Sequence, residues 1–380
     1  MVPSWYQNEK NSISGSFFRE QALALLRRGH RVWVADATYQ SFDNITSKRL
    51  LRLCKFSDEG LETYSFIAPA IGIARTPSGG VNWFYRRLRR IYKEILRAGV
   101  KIDIVQAHSF YPAGVGALRL CKEYDLPLVM TEHNSLVLKE KLHPKRIPWL
   151  CSLTEEADRF ICVSNALKES VLRLTKTEKD IEVIPNSVDG RFSFKDEKPD
   201  SPFTFVSIGN LVAGKRFDLT LQAFSKVLEA IPGAKLSVVG DGPLKSELRE
   251  LAEKLGISSS VSFTGRIPRE DLCTLLNRSH VFVLPSDAET FGVVYVEALA
   301  CGCPVIATRN GGAEEIVTED RGILTEKNDV KALTKAMLKM YSDYSIYDPK
   351  KLSEACLGEY SEDVLAQRTE EIYLQVLSDK

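Results

Sequence analysis

Pro285-Ser-Asp-Ala-Glu289-Thr-Phe-Gly292-Val-Val-Tyr-Val-Glu297-Ala-Leu-Ala300 lies between an apolar run ending at Leu284 and a second beginning at Cys303. Both runs have strand length and β-branched content, and turn residues followed by a helical pattern fill the gap, so the block reads strand, turn, helix, strand. With a turn over residues 286–288, Glu289 stands at the mouth of the first strand. A helix beginning near Thr290 carries Glu297 about two turns further, roughly 10 Å along the axis at 1.5 Å per residue. The amides of Phe291, Gly292 and Val293 then open at the same mouth, where unsatisfied donors and the helix dipole favour an anion. Gly292 has no Cβ to hold a ligand away from the backbone. An acid for a polar ligand, a seat for an anion and a second acid beyond it suit a nucleoside diphosphate carrying a sugar.

Outward from this block the same alternation continues. Strands are expected over residues 203–208, 235–239, 261–264, 281–284, 304–307 and 322–324, with crossover helices over 219–230, 244–254 and 330–341. Before them, strands over 31–35, 62–67, 104–107, 128–131, 159–163 and 181–184 alternate with helices, the clearest being 17–28, which stops at Gly29 as a helix should. Residues 185–202, rich in Pro, Asp, Lys and Ser, read as the linker between two Rossmann-like α/β halves. Ligands of such sheets bind beyond the carboxyl ends of the strands. The first strand is expected to be very short, since only Met1 and Val2 precede Pro3.

The 380 residues are 44% apolar and 27% charged, enough for two sizeable cores. No apolar run reaches the length of a membrane span and the start lacks the regions of a signal peptide, which predicts a cytoplasmic protein. Eight cysteines without a C-x-x-C predict buried free thiols and no metal site. Residues 1–150 hold 23 Lys and Arg against 13 Asp and Glu, whereas the rest hold 28 against 37. The first half is therefore the basic one, and it carries no motif for nucleic acid.

Glu289-Thr-Phe-Gly292 followed by Glu297-Ala-Leu-Ala-Cys-Gly-Cys-Pro304-Val closely resembles the E-x7-E element of glycosyltransferase family 4, the retaining transferases of GT-B fold. The resemblance covers nearly the whole chain. It implies an acceptor domain over 1–190, a donor domain over 191–360, the two parallel sheets facing across a cleft, and a C-terminal helix over 361–380 that returns to the first domain. It implies that Glu289 meets the transferred sugar and Glu297 the ribose hydroxyls. Asn11-Ser-Ile-Ser-Gly15 is similar to the family's glycine loop, whose amides meet the donor phosphate. His133, in Thr-Glu-His-Asn, matches the histidine that contacts the donor sugar, and His108, ending another strand, faces the cleft.

Ser207-Ile-Gly209-Asn210-Leu-Val-Ala-Gly-Lys215 resembles the family's phosphate clamp of one arginine and one lysine. Lys215 is present, but Asn210 stands at the arginine position and supplies no charge. Arg216 replaces a residue that is often glycine, and its compensation for Asn210 is an expectation. Gly265-Arg266 resembles the loop that reads the nucleobase, and Asn310-Gly311-Gly312 a flexible turn closing over the donor.

The implied reaction is retaining transfer of a hexosyl-type sugar from a nucleoside-diphosphate sugar to a glycan or lipid-linked acceptor, in polysaccharide or glycolipid synthesis. The leaving diphosphate itself takes the acceptor proton, and no metal or further cofactor is expected because no Asp-x-Asp ends a strand. A non-catalytic nucleotide-sugar-binding subunit and a nucleotide-sugar epimerase are the alternatives. Residues 83–97 place Phe84, Leu88, Ile91 and Ile95 on one helical face and Arg86, Arg90, Lys93 and Arg97 on another. That apolar face either packs in the domain core or lies on an anionic membrane, which would make the protein peripheral there.

Overall fold

The computed structural model describes residues 1–6, 15–40, 51–69 and 76–380, with only the backbone of Gln40. Its contacts divide the chain into two compact units, Met1–Ser187 with Glu362–Lys380, and Val188–Ser361.

The second unit is a six-stranded, all-parallel sheet. Its order is Val261–Gly265, Lys235–Val239, Thr204–Ile208, Val281–Leu284, Val305–Thr308, Gly322–Thr325. Numbered along the chain this is 3-2-1-4-5-6, the doubly wound order, which reverses between Thr204–Ile208 and Val281–Leu284. Those two central strands are almost wholly buried, consistent with runs such as Val-Phe-Val-Leu that do not alternate with polar residues. The crossovers include Phe217–Ala230, Lys245–Lys254 and Val330–Ser342, each within a few residues of the periodicity that marked it.

The first unit holds a five-stranded parallel sheet in the order Val2–Pro3, Val105–His108, Leu128–Glu132, Arg159–Cys162, Glu182–Val183. The two-residue first strand pairs with Ala107 and His108 on one side. On the other, Ala35 N donates to Met1 O at 2.9 Å, which brings in the strand Trp33–Asp36. The order of this sheet also reverses at its first strand. A hairpin, Cys54–Asp58 antiparallel to Leu61–Ser65, was not expected from the sequence. Its outer strand alternates only between half-buried and exposed residues, and its turn is Glu59-Gly60, both at positive φ.

The helix Glu362–Ser378 packs on Ser16–Arg27 of the first unit. Leu365, Ala366, Ile372, Tyr373 and Val376 share a core with Ala24, Leu25, Val129 and Ile161. Arg28 binds Glu370 at 2.5 Å, and the Tyr373 hydroxyl donates to the buried Gln106 side chain.

The helix expected from Thr290 begins at Val293. Glu289 is held extended by a backbone bridge to Gly311: its amide donates to Asn310 O at 3.1 Å, and its carbonyl accepts from Gly312 N at 2.8 Å. Helical dihedrals cannot start until that bridge is passed. Glu297 is thus little more than one turn into the helix.

Candidate functional site

At the point where the second sheet reverses, the loops after Thr204–Ile208 and Val281–Leu284 are stitched together. Asp287 N donates to Gly214 O at 2.9 Å, and Lys215 Nζ meets Glu289 Oε1 at 2.5 Å. Both side chains are largely but not fully enclosed, so the pair is reachable by a ligand. Gly292, at φ 95, caps the helix that follows, and a Cβ there would lie 2.4 Å from the Tyr295 ring. No other residue satisfies both the dihedral and the contact. Among the described residues the amides of 291–293 donate no hydrogen bond, which leaves them open for an anion.

Residues 310–312 are not a loose flap. Besides the bridge to Glu289, Asn310 Nδ2 donates to the Tyr295 hydroxyl at 2.9 Å, and Glu314 Oε2 accepts from the amides of Asn310 and Gly311 at 3.0 and 2.8 Å. Gly312 is required by close packing, because a Cβ there would fall 2.3 Å from Phe291 O.

Glu297 is 3% exposed and accepts from Arg269 Nη2 at 2.8 Å. Burial pushes its carboxyl up to about 7 against the opposing charge of Arg269. Arg269 Nε also lies 3.2 Å from Asp189 Oδ2. Burial would raise the Asp189 carboxyl, but Arg191 and Arg269 hold it at about 2. This network escaped the sequence reading, although a signal existed. An arginine in the first turn of a helix, as Arg269 is, opposes the helix dipole and calls for a carboxylate.

Arg216 adopts φ 53, the left-handed region that favours glycine. Its guanidinium is committed to Asp218, with contacts at 3.1 and 3.0 Å, and lies 3.6 Å from Asp287. Asn210 is exposed, with its carbonyl accepting from Val212 N at 2.8 Å. Arg266 is exposed after Val261–Gly265, near the Asp241–Lys245 pair.

The first sheet ends differently. His108 and His133 follow neighbouring strands, and their Nδ1 and Nε2 atoms are 3.1 Å apart. Phe17 and Phe18, at the start of the helix capped by Gly15, pack on the pair with centroid distances of 4.7–5.2 Å. Of the glycine loop, Gly15 falls within the described residues and 11–14 lie outside them. Burial drives His133 down to about 3, and burial together with its neighbour holds His108 well below the usual histidine range. Both rings are neutral at physiological pH. His108 Nε2 is buried without a hydrogen-bond partner, and the Asn186 side chain lies close enough to interact with the His133 ring.

Glu132 sets this geometry and was not singled out from the sequence. Fully buried, it accepts from the amides of Phe110 at 2.7 Å, His133 at 2.8 Å and Asn134 at 2.5 Å. It thereby fastens the segment after His108 to the segment bearing His133. Burial raises its carboxyl to about 7, with the three amides pulling the other way.

The helix Pro77–Arg97 settles the fate of its apolar face: Phe84, Leu88, Ile91 and Ile95 are buried in the first unit and unavailable to a bilayer. Arg87 is buried as well, donating to Ala37 O at 2.9 Å under the Tyr39 ring. Arg86, Arg90, Lys93 and Arg97 stay exposed beside Trp83, which is 37% exposed. Among the described residues no helix is long and apolar enough to cross a membrane, and no cluster of three or more His, Cys, Asp or Glu is placed to hold a metal ion. All eight cysteines are free thiols.

Residues 14–191 match the family model "Glycosyltransferase Family 4", and residues 189–356 match "Glycosyl transferases group 1". The N-acetyl-alpha-D-glucosaminyl L-malate synthase of Bacillus anthracis is 28% identical over 293 residues, 73% of this chain and 76% of that protein. A human phosphatidylinositol N-acetylglucosaminyltransferase subunit is 28% identical over 396 residues, 99% of this chain and 75% of that protein. Among solved structures, a sucrose-phosphate synthase from Thermosynechococcus elongatus superposes with a TM-score of 0.78 at 21% identity, covering 98% of this chain and 94% of its own. Anabaena HepE in complex with UDP-glucose gives 0.73 at 17%, covering 100% and 99%.

Proposed function

We propose that the chain, whose residues 14–191 and 189–356 match two glycosyltransferase family models and whose fold is GT-B, moves a hexosyl-type sugar, with retention, from a nucleoside-diphosphate sugar to a glycan or lipid-linked acceptor. The observation that carries this reading is the Lys215–Glu289 pair at the reversal point of the second sheet, beside the open amides of 291–293. A diphosphate arriving there would compete for Lys215 and take the amides, releasing Glu289 to accept hydrogen bonds from sugar hydroxyls. Glu297 would accept from the ribose. Arg266 would face the base, and Asn210 would add a neutral donor to the phosphate seat, with Arg216 occupied by its acids.

Charge building on the leaving phosphate would be stabilised by Lys215 and by the amides of 291–293. The departing phosphate oxygen would take the acceptor hydroxyl proton, a route that needs no divalent ion. The neutral His108–His133 pair can donate and accept toward uncharged hydroxyls without competing for phosphate, so His133 is the residue we assign to hydroxyl recognition. Two relatives are named for acting with L-malate or phosphatidylinositol. Both molecules are anionic, which agrees with the basic first half and directs the search for an acceptor toward glycolipid as well as polysaccharide synthesis.

A screen of purified sugar nucleotides by thermal stabilisation, followed by assay of nucleoside-diphosphate release, tests the reading. Stabilisation with release supports transfer. A changed sugar on an intact nucleotide would make the protein an epimerase, and tight binding with no release would make it a non-catalytic subunit. The basic face of Pro77–Arg97 would rest on an anionic membrane by charge alone. Sedimentation with anionic but not neutral liposomes is the expected result, and equal binding to both removes this part.

A further inference from the structure

In the second unit, Glu297 on the helix Val293–Ala300 faces Arg269 at the start of the helix Arg269–Arg278. Arg269 Nη2 donates to Oε1 of Glu297 at 2.8 Å, and among the described residues no donor reaches Oε2. One oxygen is committed and the other is left to a ligand. Behind the guanidinium, Asp189 Oδ2 lies 3.2 Å from Arg269 Nε, and the Phe192 ring centroid lies 5.1 Å from the guanidinium carbon. Asp189 is itself buried and fixed. Its Oδ1 accepts from Arg191 N and Nε, both at 2.9 Å, and its carbonyl accepts from Phe192 N at 2.9 Å. The result is a carboxylate–guanidinium–carboxylate row with its outer end tied to the backbone. Asp189, Arg191 and Phe192 all come from the stretch whose composition reads as linker.

A buried carboxyl that faces no cation takes up a proton, and a protonated acid is a poorer acceptor. Burial pushes Glu297 up to about 7, and Arg269 is the first group pulling it back. Asp189 pushes in the same direction as burial, and Arg191 pulls against it. Two arginines and two carboxylates make the row neutral when Glu297 is ionised. Without Arg269 two acids would share one cation, and protonation of Glu297 would relieve them. Other titratable groups lie around the pair. Exposed Glu270 meets Arg191 at 2.7 Å, and the thiols of Cys273 on the first helix and Cys301 capping the second meet each other. From the helix Pro349–Tyr360, packed on Val293–Ala300, the Cys356 thiol donates to Val296 O at 3.3 Å.

We propose that Arg269 is a positioning residue of the donor site: it keeps Glu297 a carboxylate, occupies Oε1 and leaves Oε2 to accept from a ribose hydroxyl, while Asp189 anchors it. This rests on the transferase reading and supplies the group behind its ribose contact. The anchor has a purpose of its own. An arginine free to swing would pair with the incoming diphosphate and leave Glu297 behind it uncompensated.

The test titrates the full chain by calorimetry with UDP, with GDP and with the 2′,3′-dideoxy form of each, from about pH 5.5 to about 9, a window spanning the raised value of Glu297. Affinity for the ribonucleotide should fall as pH drops through about 7, because Glu297 takes up a proton. The terminal phosphate also titrates, near about 6, but the dideoxy nucleotide shares that change, so the readout is the difference between the two. In Arg269→Ala the ribonucleotide should bind about tenfold or more weakly at about pH 7.5 and recover toward alkaline pH, the midpoint moving up by about one unit. Arg269→Lys, which returns the charge, should bring the midpoint back. The dideoxy nucleotide should show neither change. Arg269→Gln, which removes the charge but keeps much of the side-chain length, takes over if the alanine variant melts early. Unchanged affinity, a loss equal at every pH, or the same shift with the dideoxy nucleotide overturns the assignment. Thermal stabilisation of the wild-type chain by UDP and GDP is measured alongside. If a nucleotide stabilises the chain while the midpoint stays put in the variants, only the role of Arg269 falls, and if neither nucleotide binds the transferase reading falls with it.

Discussion

The two sheets end in the same kind of place, the point where strand order reverses, yet they furnish it with opposite chemistry. The second unit presents ion pairs: Lys215 with Glu289, Arg216 with Asp218, Arg269 with Glu297. The first presents a neutral histidine pair wrapped by Phe17 and Phe18, with the Glu132 carboxylate turned inward on backbone amides. An ion pair can be exchanged for a charged ligand at little net cost, because each partner finds a new one. A buried neutral pair cannot host a phosphate, but it can discriminate among hydroxyls, since a mismatch leaves polar groups unpaired. On the transferase reading we propose, the charged end suits an anion and the neutral end suits uncharged hydroxyls.

This division of labour is most open to attack at Lys215. In a donor-saturated assay, Lys215→Ala and Glu289→Gln should each lower turnover at least about a hundredfold, the scale for removing one stabiliser of developing charge. Near-normal rates in both would deprive the charged end of its role. Next in size, Glu132→Ala should destabilise the chain by about 2 kcal/mol in denaturant unfolding, because three buried amides lose their acceptor. A smaller loss would mean that water replaces the carboxylate.

The histidine pair separates the two ends further through pH. His133 binds its proton near 3 when folded and near 6.5 when unfolded, so the unfolded chain holds more protons between those values and stability falls as pH drops through them. The raised carboxyls of Glu132 and Glu297 act oppositely, with stability falling as pH rises from 4.5 through about 7. The readout is therefore the difference between variant and wild type. His133→Asn should flatten the acid-side fall in melting temperature between pH 4 and 6.5 (a window bounded by its shifted and ordinary values), and an unchanged slope would mean that the histidine is not held neutral. The smallest effect is expected at Arg216. With Asp218 and Asp287 around its guanidinium, Arg216→Ala should change donor affinity less than about threefold, well short of a lost charge-assisted contact.

Much of the architecture was legible because burial writes itself into periodicity. Val281–Leu284 came out residue for residue, since a strand covered on both faces is a short apolar run bounded by turns, and Lys235–Val239 did so with its apolar residues inward and Lys235 exposed. The edge strand Cys54–Asp58 did not, because a half-wet strand has no such run, whereas its partner Leu61–Ser65 overlaps the strand expected over 62–67. The helix onset was misread by three residues for a related reason. Propensity near Thr290 is local, whereas the bridge from Glu289 to Gly311 is made with a strand-end loop more than twenty positions away.

Among candidate site residues, the order of amino acids and the family resemblance nominated a set whose roles are proposals. Glu289, Glu297, Lys215, Gly292 and the two histidines stood out because turn chemistry and strand ends leave local marks. Who meets whom was left to folding. Lys215 and Glu289 are 74 residues apart and His108 and His133 are 25 apart, and they touch because parallel strands deliver their following loops to one edge of a sheet. Folding also turned the apolar face of Pro77–Arg97 inward, against the core of the first unit. A periodicity records that a face is buried, but not against what. A charge in a sequence becomes a site only when the packed chain decides whether a partner lies within reach.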